Sequence, residues 1–170
     1  PALCSGHGGT PPGPISAYTM KTLLRTLCAI ASCTTAFVAA PALAADCSAT
    51  VESNDAMQFN VKTLSVPAAC KTFSVTLKHV GKLPKTAMGH NLVLTVPGDV
   101  AAVATDGIAA GVANDYVKPQ DTRVIAHSKL IGGGESTQVD IPVAKLKAGT
   151  DYSYFCSFPG HNSIMKGTLK

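Results

Sequence analysis

From Phe59 onward the chain alternates short apolar, β-branched runs with clusters of glycine, proline and small polar residues. Within 72–79, Phe73, Val75 and Leu77 alternate with Ser74, Thr76 and Lys78; within 137–143, Val139, Ile141 and Val143 alternate with polar residues or Pro142. A period of two puts one set of side chains in a core and the other in water, so both runs predict half-buried strands. Strands are also predicted over 59–66, 90–96, 122–130, 152–156 and 165–169. Many short strands at fairly even spacing point to an all-β fold, a two-sheet antiparallel sandwich with Greek-key connections. Residues 97–116 break the pattern: alanine-rich, with Val100, Val103 and Ile108 at helical steps, they predict one short helical excursion outside the sandwich, weakened by Gly107 and Gly111. Gly132-Gly133-Gly134 predicts a turn, because it lacks the lysine and the strand-to-helix setting of a phosphate loop.

The first 44 residues follow a different logic. Lys21 and Arg25 open a segment at Met20, an uncharged and mostly apolar stretch runs from Leu27 to Ala40, and Ala42-Leu43-Ala44 has the small residues of a cleavage site. This is the layout of a secretory signal peptide over 20–44, cut after Ala44, and its apolar stretch is shorter than the ~20 residues a membrane-crossing helix needs. Residues 1–19, rich in glycine and proline, are expected to be an unstructured upstream extension, either sequence ahead of the true start or appended sequence. One folded domain, 45–170, is then expected in the periplasm, with no membrane attachment after cleavage.

Composition narrows the function. The chain is 46% hydrophobic and 14% charged, enough apolar content to bury a core. A net charge of +4 without a lysine or arginine block gives no footprint for nucleic acid. Of six cysteines, only Cys47, Cys70 and Cys156 lie beyond the leader. Cys47 and Cys70 each adjoin a strand-like segment and are the expected disulfide, which leaves Cys156 as an odd thiol in an oxidising compartment. Such a thiol is either a buried core residue or a protected metal ligand.

The surroundings of Cys156 favour a metal. Cys156, His161 and Met165 stand in a C-x4-H-x3-M order between two predicted strands, with Pro159 and Gly160 allowing the loop to fold back. Thiolate, imidazole and a weak thioether are soft ligands suited to copper, and a second imidazole would complete the set of an electron-transfer site. His90 can supply it: it shares the parity of Leu92, Leu94 and Val96, which points its ring into the sandwich. His79 is read as a packed structural histidine and His127 as surface-facing. Two alternatives remain open at this point: a copper or zinc carrier without redox shuttling, and a cysteine nucleophile activated by His161 or His90.

LPKTAMGHN (83–91), DYVKPQDTRVIAHSKLIGGGE (115–135) and YFCSFPGHNSIMKGTL (154–169), with the Cys47/Cys70 pair, resemble the azurins, small periplasmic blue copper proteins of the cupredoxin family. The resemblance implies a cupredoxin-like Greek-key β-sandwich and one copper ion cycling between Cu(I) and Cu(II). It implies His90, Cys156 and His161 as in-plane ligands, Met165 as a distant axial ligand and the Gly89 carbonyl opposite it. Asn91 and Phe158 would be neighbours of the ligands rather than ligands. Met57, Leu83, Met88, Phe158, Pro159, Gly160 and Ile164, extended by Ile108, would form an apolar docking patch for transient redox proteins such as c-type cytochromes or copper and haem reductases. The expected state is a monomer, and the filled ligand set implies no turnover of a small substrate. Many azurins carry a core tryptophan two residues after the strand histidine; this chain has Leu92 there and no tryptophan at all.

Overall fold

The computed structural model describes residues 46–170. The upstream extension over 1–19, the leader over 20–44 and Cys4, Cys28 and Cys33 lie outside the described residues. Nine strands form two sheets: β1 (Ser48–Asn54), β2 (Gln58–Phe59), β4 (Thr72–His79) and β7 (Ser136–Pro142) in the order β2-β1-β4-β7, and β3 (Thr63–Leu64), β5 (Val93–Thr95), β6 (Ala126–His127), β8 (Tyr152–Phe155) and β9 (Lys166–Leu169) in the order β3-β9-β8-β5-β6. The sheets are mixed rather than wholly antiparallel, since β1 runs parallel to β4 and β3 parallel to β9. After β1 the chain crosses through β2 and β3, the latter in the other sheet, before returning as β4, and such a crossover is what a parallel pairing requires.

The period-two pattern does the work in β4. Phe73, Val75 and Leu77 are buried against the facing sheet while Thr72 and Lys78 are exposed, and antiparallel pairing with β7 sets Val75 opposite Val139 and Phe73 opposite Ile141. Leu92, Phe59 and Tyr154 share this core, with the Phe59 and Tyr154 rings 5.6 Å apart, so two rings and a leucine fill the space in a chain without tryptophan. The Tyr154 hydroxyl donates to the Val61 carbonyl at 2.6 Å, which keeps the buried phenol satisfied.

Departures from the predicted elements have local causes. The strand predicted over 59–66 is two short pieces, β2 and β3, that join different sheets. Only Ala126–His127 of the strand predicted over 122–130 forms, because Asp121 accepts the Arg123 N–H at 3.0 Å and turns the chain, while the Ser128 hydroxyl takes the Leu92 N–H at 3.0 Å in place of a backbone acceptor. A one-turn helix α1 (Lys85–Met88) precedes Gly89. The helical excursion is α2 (Val100–Ala110), whose Val103 and Ala104 cover Val93 and Phe155 on the outer face of the second sheet. Its glycines are fitted rather than weakening. Gly111, at φ 75°, closes the helix with its N–H on the Gly107 and Ile108 carbonyls, and Gly107 is buried where a side chain would overlap the Tyr116 carbonyl oxygen.

Cys47 and Cys70 form a disulfide, with Cα atoms 5.6 Å apart and a sequence separation of 23. Closing that loop restricts the unfolded chain, so replacing both cysteines by alanine is expected to lower folding stability by about 3 kcal/mol, read by urea denaturation of the metal-free protein. An unchanged midpoint would show that the unfolded chain is already restricted over this loop without the bond.

Candidate metal centre

The centre lies at one end of the sandwich, where a strand edge meets the loop between β8 and β9. His90 sits just before β5, held by mutual backbone hydrogen bonds of 2.9 Å with Ile131. Its Nε2–H donates to the Asn54 carbonyl at 2.9 Å. A carbonyl can only accept, so the proton is on Nε2 and the Nδ1 lone pair faces Cys156 Sγ, 3.9 Å away. Cys156 follows β8 and is fully buried. Gly160, at φ 84°, turns the loop left-handed after Pro159, and His161 Nδ1 comes to 3.5 Å from the same sulfur. The ligand atoms of His90, Cys156 and His161 all lie within 4.8 Å of one another, and all three residues are buried.

The remaining expected residues cluster around them. The Gly89 carbonyl oxygen is 3.8 Å from Cys156 Sγ. Glycine is needed there for a reason the sequence did not show, because a Cβ would lie 2.6 Å from the Lys85 carbonyl oxygen of α1 and 3.0 Å from Leu130. Met165 is buried in the main core, and its backbone closes the loop: Met165 N–H donates to His161 at 2.8 Å and Cys156 N–H donates to Met165 at 3.0 Å. Asn91 is buried and spans the site, its amide nitrogen donating to Ser157 Oγ at 2.8 Å and to the Asp115 carbonyl at 2.7 Å, its oxygen accepting the Ser157 N–H at 2.9 Å. Phe158 lies against His161 with ring centroids 4.6 Å apart.

Burial sets the protonation of the donors. Desolvation pushes His90 down to about 4 and holds His161 below its ordinary value, so both imidazoles offer lone pairs at neutral pH. Burial pushes the Cys156 thiol up to about 12, against the opposing effect of backbone N–H groups aimed at the sulfur. A thiolate is therefore unfavourable here without a cation beside it, and a bound metal deprotonates a coordinating thiol outright. One sulfur and two imidazole nitrogens converging in a dry site suit copper.

Comparison with known proteins agrees with this donor set. Residues 45–170 match the model of the copper binding proteins, plastocyanin/azurin family. The chain belongs to that family. It is 66% identical over 126 residues to azurin-2 of Alcaligenes xylosoxydans xylosoxydans, covering 74% of this chain and 98% of that one. It is 51% identical over 147 residues to the azurin of Pseudomonas aeruginosa, covering 86% and 98%. In three dimensions it is similar to the azurin Az-iso2 of the obligate methylotroph Methylomonas sp. strain J, at TM-score 0.71 and 50% identity, covering 74% and 98%. The fold is thus the azurin-like cupredoxin sandwich.

Other neighbours were not foreseen as part of this plastocyanin/azurin-type centre. His79 is buried and packs against His90 with ring centroids 4.3 Å apart and planes tilted by 59°, while its Nε2 meets Asp55 at 3.0 Å. Asp55 also accepts the N–H groups of Lys82 and Leu83, which ties the turn carrying Met57 to the loop carrying Leu83 and Met88. No spacing rule marks these residues, because they meet only when β1 and β4 pair. His127 is exposed.

Proposed function

We infer that this chain is a small periplasmic electron carrier in which His90, Cys156 and His161 would hold one copper ion, with Met165 and the Gly89 carbonyl as further, weaker donors. The observation that carries this is the convergence of one buried thiol and two imidazole Nδ1 atoms within 4.8 Å. Copper supplies a one-electron couple when bound. The protein's own residues hold its ligands still. Asn54 fixes the His90 tautomer, Asn91 ties the His90 segment to the Cys156 loop, and the hydrogen bonds among Cys156, His161 and Met165 close that loop before any metal arrives. With the three buried ligand atoms, the Gly89 carbonyl and Met165 all as donors, no position would be left open for a substrate, which supports electron carriage over turnover.

Electrons would leave by His161. It is 3% exposed, whereas His90 and Cys156 are at 0%; of the expected docking residues, Leu83, Ile108, Pro159, Gly160 and Ile164 are exposed and Met57, Met88 and Phe158 half-buried, with Phe158 against the His161 ring. A small apolar face suits brief encounters of a monomer with redox proteins such as c-type cytochromes or copper and haem reductases. Placing a charge on this face by Met88→Lys is expected to slow exchange with such a partner about tenfold, equivalent to ~1.4 kcal/mol, while the copper spectrum stays as in wild type. Stopped-flow mixing checks this, and an unchanged rate would remove Met88 from the docking face.

Export rests on the segment 20–44, with cleavage after Ala44. The 147-residue match to the Pseudomonas aeruginosa protein is longer than 45–170 and so must run into that segment, which supports a shared leader. No helix among the described residues is long and apolar enough to cross a membrane. The decisive experiment is a visible and EPR spectrum of the copper-loaded protein with voltammetry. Intense blue colour and a reversible one-electron wave are expected; a colourless, electrochemically silent complex would favour a copper or zinc carrier instead.

A further inference from the structure

The turn after α2 reaches the metal centre through contacts that electron carriage alone does not call for. Asp115 and Tyr116, two consecutive residues other than glycine, both adopt left-handed backbone at φ 55° and φ 54°. Asparagine and aspartate visit this region with some ease, whereas an aromatic residue is held there only when its surroundings dictate it. Here they do. The Tyr116 N–H donates to Gly111 at 3.1 Å, the Val117 N–H to Asn114 at 2.9 Å, and Asp115 is pinned twice, its carboxylate accepting the Leu130 N–H at 2.9 Å and its carbonyl accepting from Asn91. From the other side Gly107 of α2 presses on the Tyr116 carbonyl oxygen so closely that a Cβ would overlap it.

The result is a Tyr116 ring aimed at the ligand loop. It meets Phe158 edge-on, centroids 5.3 Å apart at 75°; Phe158 lies 4.6 Å from His161; and His161 Nδ1 is 3.5 Å from Cys156 Sγ. The Tyr116–Phe158 pair has the preferred edge-to-face geometry and Phe158 packs on His161 at a 39° tilt, so the two contacts in series couple the position of Tyr116 to the imidazole. We propose that Tyr116 is a positioning residue of the metal centre: seated by Gly107 in a left-handed backbone, it braces Phe158 and thereby fixes the His161 ring over Cys156. The redox consequence rests on the electron-carrier function, but the brace is a property of the metal-free protein. It depends on the ring rather than the hydroxyl, so phenylalanine should replace tyrosine and alanine should not.

The test measures alkylation of Cys156 by iodoacetamide in the metal-free protein, which reports how often the loop opens over the buried sulfur. Tyr116→Ala is expected to raise that rate about tenfold, Gly107→Ala to raise it in the same direction, and Tyr116→Phe to stay within about twofold of wild type. Ile141→Val, in the opposite sheet, reports what general loosening does and should also stay near wild type. In the copper-loaded protein, Tyr116→Ala should shift the midpoint potential and the copper EPR hyperfine splitting, and Tyr116→Phe should leave both in place. An alanine variant as slow as wild type, a phenylalanine variant as fast as alanine, or an Ile141→Val rate matching Tyr116→Ala would each overturn the brace. Should wild type fail to give a blue copper form, the electron-carrier function falls, while the order of alkylation rates still decides the role of Tyr116.

Discussion

Replacing Cys156 by serine is expected to remove the intense visible absorption of the copper-loaded protein, by more than about tenfold, and its fast electron exchange with it. The effect is chemical before it is structural. A thiolate is soft and readily gives electron density to copper, whereas a serine hydroxyl is hard and stays protonated in a site this dry. Cys156 is fully buried, with His161 Nδ1 at 3.5 Å and the Gly89 carbonyl at 3.8 Å, and among the described residues it is the one free cysteine, so no second thiol can take its position. His90 and His161 would still bind copper, but as nitrogen donors whose complex is pale. The absorption spectrum and the copper hyperfine splitting in EPR measure both halves of this expectation. A serine variant that stays deep blue would show that the colour and the electron transfer arise elsewhere.

How far the sequence exposes this site depends on whether a residue's role is local. The loop from Cys156 to Met165 is legible because its three side chains and its Pro-Gly turn lie within ten consecutive positions, and the structure closes it with hydrogen bonds inside that same stretch. His90 is legible as the opening of an apolar run, but parity is not what buries it: His90 through Thr95 are all at 0%, because the core covers one face and α2 the other, while Val96, of His90's parity, is 37% exposed. β9, whose KGTL has a single strong apolar residue, owes its strand to antiparallel pairing with β8, whereas β4, β7 and β8 are plain, because alternation or an apolar run forces one face inward. β1 is not, for the segment SATVESN has one strong apolar residue; Ser53 is fully buried on its inner face and is satisfied only because its hydroxyl donates to the Lys78 carbonyl of β4 at 3.0 Å. The reading of His79 as a packed structural histidine holds, but the same limit hid its partners Asp55 and His90, and it hid the role of Tyr116. Each acquires its role from a neighbour far off in sequence, and no period or spacing encodes that meeting.

Asn91 shows how costly such a nonlocal contact becomes when it is lost. Substitution by leucine, of nearly the same size, is expected to lower the stability of the metal-free protein by roughly 3–5 kcal/mol, in urea or thermal denaturation. The side chain is fully buried and makes three hydrogen bonds, two with Ser157 and one with the Asp115 carbonyl. Leucine would strand the buried Ser157 N–H, where an unpaired group costs about 1–3 kcal/mol, and would remove the partner of the half-buried Asp115 carbonyl. Ser157→Ala removes only the hydroxyl and should cost about 1 kcal/mol, because the Ser157 N–H to Asn91 bond survives. The gap between the two variants therefore measures backbone groups left unsatisfied rather than side chains removed. Because Asn91 bridges the His90 segment, the Cys156 loop and the turn that seats Tyr116, its loss should also loosen all three at once. If Asn91→Leu proved no worse than Ser157→Ala, water would be entering to satisfy those groups, and the dryness that keeps the Cys156 thiol protonated and both imidazoles neutral would have to be abandoned.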